Sequence, residues 1–141
     1  MKIVLVGCVK SKRPGTHRAE DLYDSRLFRG RRSYARANAD RWFILSALYG
    51  LLPPERAVHS YERAMTSLSR SERRVWSEAV LCDLEKLVGS LHLAEFEIHA
   101  GVDYIRWGLI DGLRQRGAEV ALPLEHRSFG EQLQWYARIG H

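Results

Sequence analysis

The chain is expected to fold as an α/β three-layer sandwich, with a mostly parallel sheet of about four strands and helices on both faces. Two observations predict this. Four short apolar runs recur along the sequence, and the segments between them carry helical rather than alternating spacing. The 141 residues, 45% of them hydrophobic, suit one core and a single α/β domain over 1–141.

KIVLVGC, from residue 2, is a continuous apolar run too short for a helix and rich in β-branched residues, so it reads as a central parallel strand. It ends at Gly7 and is followed at once by Lys10, Lys12 and Arg13. RLFRGRRSYARANAD places Leu27, Arg31 and Tyr34 on neighbouring turns of a helix, with Asp24 or Ser25 in position to cap it. RWFILSA, 41–47, reads as the second strand. GLLPPERAVHSYERAMTSL, 50–68, is the least regular stretch. Its paired prolines exclude a regular helix at the start, and long loops in compact domains are usually functional. Ser69 and Glu72 form a capping box for the next helix, whose apolar stripe is read as Val75, Ala79, Cys82 and Leu87. AEFEIHAG, 94–101, and GAEVALPL, 117–124, read as the third and fourth strands, and Ser128 with Glu131 starts a last helix.

Composition narrows the function classes. Apolar runs fall well short of the roughly 20 residues that span a bilayer, and the start lacks the regions of a signal peptide, so a cytoplasmic protein without membrane association is expected. Cys8 and Cys82 form neither a disulfide framework nor a zinc signature and read as reduced thiols. His59 and His126 lack metal-ligand spacing, so no metal is expected. The formal charge of +5 is uneven: residues 1–41 hold eleven Lys and Arg against four acids, whereas the remainder holds eleven against thirteen. A basic surface built early in the chain suits a nucleic acid or another phosphate-bearing partner, and equally a solvated helix face.

In open parallel sheets ligands bind beyond the carboxyl ends of the strands, so the residues after each strand are the site candidates. These are Gly7, Cys8, Lys10, Lys12 and Arg13; Ser46, Tyr49 and Gly50; Gly101, Asp103 and Tyr104; and the Pro123–His126 segment. A strand ending in glycine lets backbone approach a ligand, and the cations beyond it would meet phosphate. Neither a Walker loop nor a G-x-G-x-x-G pattern is present, so ATP, NAD and other cofactors are not expected. Asp103 would cap a helix or present a carboxylate at the sheet edge. Tyr23 and Asp24 precede the first long helix, and Tyr61 and Glu62 lie in the irregular loop, where no core argument requires them.

The ordered series GCVKSK, AEDLYDSRLFRGRRSYA, WFILSALYGLLPP, SYE, HAGVDY and LPLEHRSFGEQLQWY resembles a family of small bacterial and phage domains of uncertain function, over nearly the whole chain. LSALYGLL is also similar to the peroxide-stress YaaA family and, more distantly, to domains accompanying archaeal tRNA-guanine transglycosylases, with uracil-DNA-glycosylase-like architecture. Some phage relatives resemble enzymes that insert 7-deazaguanine bases into DNA. The resemblance marks Gly7, Cys8, Lys10, Lys12, Asp21, Tyr23, Ser46, Tyr49, Gly50, Tyr61, Gly101, Tyr104, Pro123 and Gln132 as pattern positions. The chain departs from the pattern at Val9, where a lysine or polar residue is common, and at Glu125-His126-Arg127, where a small, Gly-containing segment is usual.

The expected function is therefore base chemistry at the N-glycosidic bond of a purine in DNA, exchanging guanine for a 7-deazaguanine base. Asp103 or Asp24, and after them Glu62, would supply the carboxylate at the sugar C1′. Lys10, Lys12 and Arg13 would hold phosphates, and Tyr23, Tyr49 or Tyr61 would receive a base drawn out of the stack. The alternatives are a non-catalytic DNA-binding module and an enzyme of free nucleotides.

Overall fold

The computed structural model describes residues 1–139. Its centre is a five-stranded sheet made by β1 (Lys2–Gly7), β3 (Arg41–Ser46), β4 (Gly50–Leu52), β6 (Glu95–His99) and β7 (Glu119–Ala121), in the order β4-β3-β1-β6-β7. All neighbours pair parallel except β4, which turns back antiparallel on β3 through Ser46–Gly50. The four expected strands are all present, with β4 added at the edge. A separate two-stranded ribbon joins β2 (Thr16–Arg18) to β5 (Ala57–His59).

Alternation along the strands feeds two cores. Ile3, Leu5, Phe43, Leu45, Phe96 and Ile98 point to the face covered by α3 (Arg70–Val88) and α5 (Leu109–Gln115). Val4, Val6 and Ile44 point to the face covered by α2 (Arg26–Asn38) and α6 (Phe129–Ile139). Burial on both faces is why β1 reads as an unbroken apolar run. Two shorter helices, α1 (Ala19–Leu22) and α4 (Val102–Ile105), lie at the sheet's carboxyl edge. The stretch 50–68 folds into β4, β5 and a 3₁₀ turn at Met65–Ser67.

The helix starts agree with the sequence: Ser25 caps α2, Ser69 and Glu72 close a capping box on α3, and Ser128 and Glu131 exchange the equivalent bonds before α6. The buried face of α3 is a correction. Val75 is 71% and Leu87 43% exposed, and Ala79 and Cys82 also face outward. The core is met instead by Trp76, Ser77, Val80, Leu81 and Leu84, one position round the helix. The two stripes lie about 100° apart, and the one carrying the larger side chains removes more apolar area from water.

α2 and α6 cross at Gly30, where a Cβ would stand 2.8 Å from Cβ and Cγ of Tyr136. The Tyr136 Cβ is fixed by the α6 backbone and cannot swing aside. Gly30→Ala is expected to destabilise the fold by about 1–3 kcal/mol despite alanine's better helix propensity. Chemical denaturation of the two proteins measures this, and equal or greater stability of the variant would contradict the close crossing. Among the described residues no helix is long and apolar enough to cross a membrane.

Candidate functional site

The chain leaves β1 through α2 to reach β3 on one side, and leaves β6 through α5 to reach β7 on the other. The connections therefore diverge between β1 and β6. A crevice opens at such a switch point, beyond the carboxyl ends of the two strands. Here it is a cleft of about 710 Å³ lined by Cys8, Val9, Lys10 and Lys12 after β1, by Tyr61, Glu62, Arg63, Ala64 and Thr66 from the loop before α3, and by Tyr104 of α4. That volume lies within the roughly 300–1,000 Å³ of small-molecule sites.

The segment after β1 is stapled in place. Cys8 N–H donates to the Leu45 carbonyl (3.0 Å), Arg13 N–H to Leu22 (2.8 Å), and Asp24 N–H to Ser11 (2.9 Å). Lys12 is half-buried, with its ammonium 4.5 Å from the Tyr61 ring centroid and 5.7 Å from that of Tyr23. Burial pushes its pKa down, and the nearby Glu62 carboxylate opposes the shift. A lysine held over aromatic faces is a fixed cation, ready for an anionic group.

A hydroxyl chain runs behind the cleft. Ser46 Oγ accepts from Tyr49 N–H (3.0 Å) and Leu48 N–H (3.3 Å), which occupies both its lone pairs. Its proton is therefore given to Tyr61 (2.7 Å), whose hydroxyl donates in turn to Tyr23 (2.7 Å). Nearby, Tyr104 Oη lies 2.8 Å from Cys8 Sγ. Burial pushes the pKa values of Tyr23, Tyr61 and Tyr104 well up, so all three are neutral hydroxyls at neutral pH.

Residues 3–138 match the family model described as Family of unknown function (DUF6884). The chain belongs to that family. No curated protein and no solved structure matches it.

In this DUF6884 chain the cleft gathers Cys8, Lys10, Lys12, Tyr61, Glu62 and Tyr104 from the candidates named by sequence. Gly7 lies just behind them. A Cβ there would stand 2.9 Å from Ala100 Cβ, so the glycine serves the close approach of β1 and β6. Gly101 and Gln132 line a second cavity of about 520 Å³ on the other side of α4, together with the Glu125–Arg127 segment. The remaining candidates play other parts. Ser46 is wholly buried and its hydroxyl is committed to the chain just described. Tyr23 is 2% exposed and presents no ring face for stacking. Tyr49 donates to the His59 carbonyl (3.4 Å) and stands edge-on to Tyr61. Gly50 takes φ +71 at the β3–β4 turn.

Of the three carboxylates, only Glu62 lines the cleft. Asp24 pairs with Arg29 (3.0 Å) and Asp103 with Arg73 of α3 (3.2 Å), and neither lines either cavity. Arg13 is exposed and lies outside both linings.

Much of the early positive charge is paired with carboxylates of the same chain. Arg18 and Arg36 pair with Glu20, Arg32 with Asp21, Arg29 with Asp24, and Lys2 with Glu97. Sequence counting overstates the basic surface for that reason. Arg63, which it did not single out, joins Lys10 and Lys12 around the cleft.

Arg31 was the less visible element. It is 6% exposed, donates from Nη1 to the Gly7 carbonyl (2.9 Å), and leaves Nε without a partner. Among the described residues no salt bridge neutralises it, although burial lowers its pKa. An arginine remains charged even so, and a buried cation under the end of β1 makes that edge of the sheet favourable to an anion. The signal was present in sequence, as an arginine on the stripe of α2 otherwise made by Phe28, Tyr34 and Ala35.

Proposed function

We propose that this protein acts at the N-glycosidic bond of a purine in DNA, exchanging guanine for a 7-deazaguanine base, with Glu62 as the carboxylate. The observation that carries the reading is the make-up of the cleft: three cations, two tyrosines and one carboxylate at the switch point of a parallel sheet. Lys10, Lys12 and Arg63 suit the phosphates flanking a nucleotide, and the Tyr61 and Tyr104 rings suit its base. The choice of a deazaguanine rests on the resemblance of the ordered sequence segments.

In this reading Glu62 attacks C1′ as the C1′–N9 bond breaks, and the bonding pair leaves with guanine, which takes up a proton. The incoming base loses its own N9 proton and attacks C1′, releasing Glu62 as carboxylate. Proton and charge balance over the two steps, and the cations stabilise the phosphodiester throughout. A cytoplasmic location accompanies this reading, since it keeps both thiols reduced.

The test is mass spectrometry of nucleosides from guanine-containing DNA incubated with the protein, with and without preQ0. A deazaguanine nucleoside with the base present, or an abasic site without it, is the expected product. DNA bound in a salt-sensitive way yet chemically unchanged would replace the reading with a non-catalytic binding module, and competition by free nucleotide alone would point to a nucleotide enzyme.

A further inference from the structure

The second cavity lies at the same sheet edge as the cleft, and α4 is the wall between them: Tyr104 faces the cleft, whereas Val102 and Ile105 face the cavity. Its floor is apolar, with Ile105, Ile110 and Leu124. Its rim is polar, with Arg106 and Arg127 as cations beside Glu125 and His126. His126 reaches φ 65 in this rim, a left-handed backbone that a side chain rarely adopts. Such conformations persist where surrounding structure imposes them and cluster at ligand clamps. The buried Arg31 lies beneath the divide. Its Nη1 is 3.4 Å from the point a Gly7 Cβ would occupy, and Ala100, which touches that same point, lines the second cavity.

We propose that this cavity is a subsite for the nucleotide next to the one in the cleft, so that the ligand is a DNA strand crossing the ends of β1 and β6 rather than a single nucleotide. The inference rests on the reading of the cleft given above. An apolar floor accepts the flat face of a base, and a cationic rim meets its phosphate, the combination by which single strands are bound without sequence readout. The internucleotide phosphate then passes over the divide, where the uncompensated Arg31 charge favours it. Glu125 lowers the net charge of the rim but leaves it cationic, with Arg106 and Arg127 both present.

Equilibrium dialysis with dGMP and with the deoxydinucleotide pdGpdA tests this, and the quantity read is the ratio of their dissociation constants. The wild type is expected to bind the dinucleotide about ten- to a hundredfold more tightly. The double variant Arg106→Ala/Arg127→Ala removes two exposed side chains and is expected to collapse that ratio toward one. Gly101→Phe is a second route to the same result, since a Cβ at Gly101 meets nothing within 4 Å and the ring would fill the cavity. A wild-type ratio near one, with dGMP bound in a Lys12-dependent manner, overturns the subsite and leaves the cleft standing. A ratio unchanged in both variants overturns it as well. Failure of dGMP and dinucleotide alike to bind overturns the reading of the cleft, and the subsite with it.

Discussion

Replacing Glu62 by glutamine is expected to lower exchange at a DNA guanine by about 10⁴- to 10⁶-fold, the range over which removal of a nucleophile or its supporting carboxylate abolishes covalent catalysis. Glutamine keeps the shape and hydrogen-bonding reach of the side chain but can neither attack C1′ nor balance the positive charge that develops there. Because Glu62 is exposed at the cleft, the substitution leaves the fold intact. Single-turnover rates separate this from a binding defect: kcat falls while the affinity for DNA holds or rises, since an anion facing the phosphates has been removed. The comparison variants are Asp103→Asn and Asp24→Asn, each expected to keep activity within about tenfold of wild type, since neither residue touches the cleft. Full activity in Glu62→Gln with loss in Asp103→Asn would move the carboxylate to α4 and overturn the assignment.

That assignment shows where a sequence is informative and where it stops. The four strand ends were legible because each apolar run closes on a small or polar residue, and the parallel order brings those ends to one edge. The partition among them was not. Whether Asp24, Glu62 or Asp103 reaches the cleft depends on what pairs with each carboxylate. Arg29 is five residues from Asp24, but Arg73 meets Asp103 across thirty residues of chain, through the docking of α4 on α3. Tyr23 and Ser46 had the same ambiguity: polar groups next to a site read alike whether they face the ligand or support what does. The face of α3 was misassigned for a different reason. Val75, Ala79 and Cys82 have true helical spacing, so periodicity alone could not reject them in favour of the stripe begun by Trp76. Trp76 adds a buried hydrogen bond from Nε1 to the Ser46 carbonyl (2.8 Å), a tertiary contact that local pattern does not contain.

Acid is expected to unfold the protein through a second polar system that composition alone would not reveal. Glu97 of β6 accepts from Tyr34 Oη (2.7 Å), pairs with Lys2 (2.6 Å), and lies 3.3 Å from His99 Nε2. His99 is 1% exposed, and its Nδ1 lies 2.8 Å from Tyr136 Oη. A carboxylate only accepts, so Nε2 carries the proton and Nδ1 accepts from Tyr136, which makes the imidazole neutral. Burial drives the His99 pKa below its ordinary 6.5; the Glu97 carboxylate opposes the shift, and the Arg31 and Lys2 charges add to it. The His99 hydrogen bond, helped by Lys2 and Tyr34, holds Glu97 at about 2 against an ordinary 4.5. Both groups bind protons more weakly in the folded chain than in the unfolded one, so the stability they confer is complete above about pH 6.5. It declines first as the unfolded chain protonates His99, declines again below pH 4.5 through Glu97, and levels off near pH 2. Glu97→Gln keeps an acceptor and is expected to abolish the lower of these two phases in urea titrations at successive pH values. Glu97→Leu strands the His99 and Tyr34 donors and is expected to cost about 2–4 kcal/mol at pH 7. A Glu97→Gln profile that still falls between pH 4.5 and 2 as the wild type does would show that other carboxylates govern acid unfolding. His99 also lines the second cavity, so the same network reaches the wall of that cavity.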